Sequence, residues 1–390
     1  MPGSKSRQRK PSSRSEEDSA SPGAARVLIL CVLVLFAFSI TMLFSIGIGQ
    51  TNPLHYPLRQ LAYAVVAAGG CVFTAFVPPL YWKKLMPLLC GMTIILLLMA
   101  RFAGRDIAGA HRWLSLGPVN FQPSELAKLS AILWVATWLS VYRRRASEFI
   151  RGFLLPAAGL GVLCMMVLIG PDFGTTMLIG GTGILVMYIG GTRIFYLLMS
   201  AVIALSGLGA LIMQDKERLS RITSFTQPEK YAADDAYQLM ASLLAFIKGG
   251  LTGDGIGRSL QKFDYLPEAH TDFILAILAE ELGLIGTCTV MLLYLTIFAC
   301  GMIISMRCKD SFSRLLGFGI TVLIFLQSVI NVGVVTGSMP TKGLPLPFVS
   351  YGGSSLVFMA AMVGILVRIS RGNCSGKDEK SRRLDGQQWI

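Results

Sequence analysis

Residues 267–286 read PEAHTDFILAILAEELGLIG. Glu268, His270 and Asp272 stand at the head of an apolar run, and Glu280 and Glu281 follow about two turns into it. A carboxylate in hydrocarbon costs a few kcal/mol at least, so each of these needs a physical reason. Asp272 lies where water meets the apolar run. Partial desolvation raises a carboxylate's pKa, which suits a general base near neutrality, while a helix N-terminus pulls the other way. The residue types equally allow a simple cap, with Thr271 or Asp272 satisfying the first backbone donors. Glu280 and Glu281 are about 12–14 Å further along a helix, the first turned roughly 80° from Asp272 and the second on the opposite face. They therefore belong to another task, pairing with basic or polar groups on other crossings. Lys128 is one candidate, although it also stands three residues from Glu125 in its own segment.

A second constellation is TGSMPTKGLPLPFVSYGGSS, residues 336–355, whose prolines at 340, 345 and 347 and glycines at 343, 352 and 353 forbid a regular helix. Irregular backbone at membrane depth is tolerated only where it lines a cavity or is buried in protein. Lys342 is thus expected to face a polar cavity, balancing Asp272 or holding a phosphate as a point charge. The alternative is a lysine reaching for lipid headgroups.

The elements that must position these residues are membrane helices. The chain has 390 residues, 53% hydrophobic and only 15% charged, too little charge for a soluble surface. Apolar runs give ten crossings, roughly 27–48, 58–80, 85–103, 122–141, 152–170, 174–191, 194–213, 272–305, 314–336 and 351–369. The fold class is therefore an all-α integral membrane protein, with a large outer loop, 214–271, between the seventh and eighth helices. The net charge of +13 lies in short clusters between crossings, such as WKK at 82–84 and YRRRASEFIR at 142–151. Positive-inside topology explains them, puts both termini in the cytoplasm and removes the case for nucleic-acid binding.

The outer loops break that rule, holding Arg112, Arg218, Arg221, Lys248 and Lys342 among others. An anionic ligand on that side explains them; so does pairing with the loops' own acids. Within the long loop, residues 234–250 read as a helix too short to span, capped by Asp234 or Asp235 and stopped by Gly249, lying in the interface or dipping into the outer leaflet. The glycines of GGLTGDGIG after it offer a weak anion-nest signal. Residues 1–25 and 372–390 read as cytoplasmic tails. The eight cysteines read as small apolar residues, with no disulfide framework and no metal site.

GAHRWLSLGPVNFQPSELAKL, PDFGTT, YLPEAHTDFILAILAEELGLIG and NVGVVTGSMPTKGLPLPFVSYGGSS together resemble the SEDS family (shape, elongation, division and sporulation) over residues 26–371, in order and spacing. PEAHTDF with PTKGL is closer to the division branch than to the rod-shape branch. Gly170, Asp264 and Pro345 depart from the usual pattern, and the last weakens the division assignment. The resemblance implies a glycosyltransferase that polymerises lipid II on the outer face of the bacterial cytoplasmic membrane, at the division septum, releasing undecaprenyl pyrophosphate. It implies Asp272 as catalytic base, Lys342, Arg112, Arg221 and Arg218 holding anions, and Glu268 and His270 shaping the pocket. Glu125, Lys128, Glu280 and Glu281 are expected to be structural. The implied partners are undecaprenyl-linked glycan, a class B penicillin-binding protein acting as transpeptidase, and other division proteins. No cofactor is demanded, and a divalent cation would assist the pyrophosphate. A lipid II flippase, an elongation polymerase and a division scaffold are the competing readings.

Overall fold

The computed structural model describes residues 21–48, 52–107, 110–116, 119–214, 216–226, 237–261, 269–341 and 343–371, with the side chains at 105–107, 110, 111, 116, 119, 216–218, 221 and 222 outside the description. Both tails lie almost wholly outside the described residues. The expected crossings appear in order as α1 (Pro22–Gly47), α2 (His55–Phe76), α3 (Pro79–Ala103), α4 (Pro123–Val141), α5 (Leu155–Ile169), α6 (Phe173–Ile189) and α7 (Ile194–Gln214). Two shorter helices, α8 (Lys216–Thr226) and α9 (Tyr237–Gly249), precede the last three crossings, α10 (Ile274–Arg307), α11 (Ser311–Val335) and α12 (Gly353–Ser370). Among the described residues, eight helices are long and apolar enough to cross a membrane by themselves, α5 counting with the π-helical turn Phe149–Leu154 that leads into it. The other two crossings are α4, which carries Glu125 and Lys128 in its first turns, and α6, which has 17 residues. Pro87 sits inside α3 without ending it.

Ser21 N–H donates to Ser370 O at 2.8 Å, so the first and last crossings begin and end on one face. The opposite face carries the loops after α3, α7 and α11 and is called the loop face below. The loop after α3 is more ordered than its sequence predicts. It forms an antiparallel sheet in the order β1 (Arg105–Ile107), β2 (Ala110–Leu116) and β3 (Val119–Phe121). Arg105 pairs with Trp113 and Leu114 with Phe121.

α4 and α11 form the buried axis. Residues 123–133 of α4 are all buried, as is most of α11. Lys128 is completely buried there, 2.7 Å from Glu125 Oε2 in an ion pair without hydrogen-bond geometry. Its ammonium donates to Gln327 Oε1 of α11 at 3.0 Å. Lys128 therefore does not reach Glu280 or Glu281, and that expected pairing is corrected. The separation along the bundle decides it, since the ammonium finds both partners within one turn and one neighbouring helix. Methionine at 128 is expected to cost about 3–5 kcal/mol of stability, because it strands a buried carboxylate. Thermal unfolding in detergent checks this, and Glu125→Gln in the same chain should recover part of the loss.

α10 is a helix broken at Gly283, whose backbone (φ 65, ψ -163) is not helical. The break is closed by the segment following α9. Asp254 N–H and Gly255 N–H donate to the carbonyls of Glu280 and Glu281, while Leu284 N–H and Ile285 N–H donate to Gly250 O and Leu251 O. A re-entrant segment thus replaces the ladder bonds that the broken helix lacks, as backbone in hydrocarbon requires. The left-handed stop of α9 is Gly250 (φ +49), not Gly249. Gly249 instead packs on α10, where a methyl would lie 1.9 Å from Ala279 O. The proposed caps Asp234 and Asp235 lie outside the described residues. α9 dips beside α10 and α11, anchored by Ser242 Oγ donating to Val335 O at 2.7 Å.

Candidate functional site

Asp272 sits on the loop face in the turn before α10. The helix starts at Ile274 with Phe273 in the cap position, so neither Thr271 nor Asp272 occupies the N-cap itself. The turn is held by its carbonyls. His270 O accepts from Tyr351 N–H at 2.9 Å, Thr271 O from Ser350 Oγ at 2.5 Å, and Asp272 O from Asn331 Nδ2 at 2.8 Å. All three ties lead to α11 or to the proline-rich loop after it. The same Asn331 amide donates to Leu344 O at 2.9 Å, clamping the acidic turn and the loop together. A methyl group at Gly343 would lie 3.2 Å from Asp272 Oδ2, so the loop passes directly against the half-buried carboxylate.

The loop is braced from below. Gln327 Nε2 donates to Pro345 O at 2.8 Å, and Gln327 also receives the Lys128 bond. Tyr294 Oη donates to Pro347 O, and Ser350 Oγ also receives Leu346 N–H at 2.8 Å. A buried polar chain therefore runs from Glu125 through Lys128 and Gln327 to the loop beside Asp272. Gln327 and Asn331 spend their amide donors on loop carbonyls rather than on a passage through the bundle. Replacing Asn331 by leucine leaves two buried carbonyls without their donor. With the general-base role proposed for Asp272, kcat should fall about ten- to a hundredfold with KM little changed, since each such bond is worth about 1–3 kcal/mol when one partner is left buried. Steady-state kinetics check the split.

His270 stacks on Tyr56 with ring centroids 4.7 Å apart and lies 5.7 Å from the Tyr351 ring. Burial pushes the Tyr351 hydroxyl above its usual pKa, so it stays protonated at neutrality. The structure thus brings His270 and Asp272 together. Glu268 and Lys342 lie outside the described residues, as do the side chains of Arg218 and Arg221, both on α8. Arg112 lines a separate small pocket with Ser124 and Asp172.

Glu280 and Glu281 do not belong to the Asp272 turn. Glu280 accepts from Lys248 Nζ at 2.8 Å, from Leu260 N–H at 3.0 Å and from Gln261 N–H at 3.3 Å, and also from Ser259 Oγ. Glu281 accepts from Ser259 N–H at 3.4 Å and from Ser45 Oγ of α1. Residues 259–261, just past the glycine-rich stretch, hold these carboxylates, while the stretch itself gives the Asp254 and Gly255 N–H groups to the backbone carbonyls of Glu280 and Glu281 rather than to an anion. Glu280 holds the Lys248 ammonium above its ordinary pKa. A raised lysine contributes stability below its unfolded pKa and loses it only as pH rises through the higher folded value, so the pair is intact at neutrality. Asp254, 3.2 Å from Lys248, completes the group.

Asp172 is a functional candidate that sequence reasoning did not single out, showing only as one letter of a motif. Asn331, like Gln327, stood out in the sequence only as a polar residue inside a crossing, of the kind that suits the translocation path of a flippase.

Among the described residues, ten apolar helices around a carboxylate held at the mouth of a broken helix define a polytopic membrane protein with a candidate site on the loop face. The family described as cell cycle protein, that of FtsW, RodA and SpoVE, matches residues 24–374, and the chain belongs to it. Similar proteins include a probable peptidoglycan glycosyltransferase FtsW from Idiomarina loihiensis, 36% identical over 352 residues, covering 88% of this chain and 86% of that one. Its counterpart from Coxiella burnetii is 36% identical over 353 residues, covering 88% and 95%. Among solved structures, the rod shape determining protein RodA of Thermus thermophilus superposes with a TM-score of 0.68 at 26% identity, covering 90% of this chain and 97% of that one. A chain from a peptidoglycan synthase complex that coordinates polymerization and crosslinking shares the fold, with a TM-score of 0.73 at 24% identity, covering 92% and 99%.

Proposed function

We propose that this protein is a peptidoglycan glycosyltransferase that polymerises lipid II during cell division. The observation that carries the reading is the Asp272 turn, where three successive carbonyls are tied to α11 and the proline-rich loop and the carboxylate is left against Gly343. A base held this firmly at the edge of a bundle suits abstraction of a proton from a sugar hydroxyl. In the step we assign, the 4-hydroxyl oxygen of the acceptor's GlcNAc bonds to C1 of MurNAc at the reducing end of the growing chain. Its proton passes to Asp272, the bond from C1 to the phosphate oxygen breaks, and undecaprenyl pyrophosphate leaves with inversion at C1.

Developing negative charge on the diphosphate needs cations in place beforehand. Lys342 precedes Gly343, where a methyl would meet the Asp272 carboxylate, and is the first candidate; Arg218 and Arg221 follow. Arg112 stands apart in the pocket beside Asp172. Glu268 and His270 frame the acceptor. A divalent cation would ride on the diphosphate itself, since among the described residues no group of three or more His, Cys, Asp or Glu gathers to hold one.

The loop face is outer in this reading and both termini are cytoplasmic, which the basic clusters between crossings support. The partner is a class B penicillin-binding protein, a transpeptidase anchored by one helix, at the division septum with other division proteins. α9, packed against the first half of α10, is placed to relay such a partner to the site. The test is polymerisation of labelled lipid II by purified protein in detergent, alone and with the transpeptidase. Glycan chains, made faster in the complex, are expected. A flippase makes none where there is no second compartment.

A further inference from the structure

The turn that carries Asp272 is held from a second helix besides α11. α2 leaves Leu58, Leu61, Val65 and Val66 exposed, yet Gln60 among them is completely buried. An amide inside an apolar helix is costly unless its donors and its acceptor are used, so its partners show what it is for.

Gln60 Nε2 donates to Ser350 O at 3.2 Å and to Ser39 Oγ of α1 at 3.3 Å. Its Oε1 accepts from Gly352 N–H at 3.5 Å. One side-chain amide therefore pairs with residues 350 and 352 as a strand residue would, with Tyr351 between the two bonds. The two residues so framed are those that reach the acidic turn. Ser350 Oγ donates to Thr271 O, and Tyr351 N–H donates to His270 O at 2.9 Å.

The same face of α2 adds ring contacts at helical spacing, residues 56, 60 and 63. Tyr56 stacks on His270 and meets the Tyr351 ring edge-on at 5.2 Å. Tyr63 lies 6.2 Å from the Tyr351 ring, and a methyl at Gly353 would stand 2.8 Å from its Cε1. Asn331 of α11 thus takes Asp272 O, while α2, acting through residues 350 and 351, sets the two carbonyls before it.

We propose that Gln60 is a positioning residue for the reaction at Asp272: its amide sets the 350–352 segment, and that segment sets the turn that aims the carboxylate. The inference rests on the glycosyltransferase reading above. A general base works only within hydrogen-bond reach of the proton it takes, so a displaced turn lowers the rate while substrate still binds.

The experiment uses full-length protein in detergent, in complex with the transpeptidase named above, and reads binding of labelled lipid II separately from its turnover. Gln60→Met keeps the length of the side chain and loses every bond of the amide. Its kcat should fall about tenfold. The dissociation constant for lipid II and the amount bound per protein should both stay at wild-type values, and the second excludes a smaller folded fraction as the cause. Ser39→Ala is the control, because it removes the Gln60 bond to α1 and leaves those to residues 350 and 352. Its kcat should stay within about twofold of wild type. Ser350→Ala, which lacks the hydroxyl tie to Thr271, should by itself slow turnover by a factor similar to that of Gln60→Met. Adding Gln60→Met to it should cost no more than about threefold further, since both changes act along one path.

Full, additive losses in the double variant overturn the proposal, as does a Gln60→Met protein that loses binding in step with kcat. Wild-type turnover in Ser350→Ala overturns it as well, whether or not Gln60→Met folds. A wild type that binds lipid II and makes no glycan defeats the glycosyltransferase reading instead.

Discussion

Alanine at position 283 is expected to destabilise the protein by about 3 kcal/mol or more and to detach the re-entrant segment from α10. Two independent penalties add. The backbone there (φ 65, ψ -163) lies in a region open essentially to glycine alone. A methyl would also meet Gly253 N at 2.4 Å and Leu251 O at 2.5 Å, and both are backbone atoms that cannot swing aside. The segment that would move carries Ser259, Leu260 and Gln261, which hold Glu280 and Glu281. Release would leave two carboxylates short of donors beside the helix that presents Asp272. Limited proteolysis between residues 250 and 261, together with a melting curve, checks it. Unaltered protection and melting would show that the break is not held as described.

Asparagine at Asp272 should lower polymerisation about 10²–10⁴-fold, the usual worth of a positioned general base. The substitution keeps size and shape. The ties to the turn use the backbone carbonyls of His270, Thr271 and Asp272, which asparagine leaves alone. Stability should therefore stay close to wild type, and lipid II should still bind. A loss shared equally by folding, binding and rate would make Asp272 a structural residue.

The ten crossings were legible because each is a long apolar run with few charges and basic clusters follow every second one, a pattern the bilayer enforces directly. Asp272 was legible for a similar reason, as a carboxylate where hydrocarbon begins. The break in α10 was not. Gly283 in an apolar run looks like any tolerated helical glycine, and its conformation is set by residues 250–255, about thirty positions away. The hairpin at 105–121 escaped because its strands are as short as three residues, too short for alternation to show. Of the two readings of Lys128, the pair with Glu125 three residues away holds and the one with Glu280 or Glu281 does not, because sequence cannot tell which of several buried polar groups is nearest. Gln327 on α11 supplied the answer only in three dimensions. Asn331 carries little signal beyond being an amide among aliphatic neighbours, yet it ties the acidic turn to its loop.

The most direct measurement is single-turnover conversion of labelled lipid II by purified wild-type protein and by Asp272→Asn, with bound substrate and glycan product scored in the same reaction. The account predicts equal binding, with glycan from the wild type and almost none from the variant. Glycan formed by the variant at the wild-type rate would contradict it.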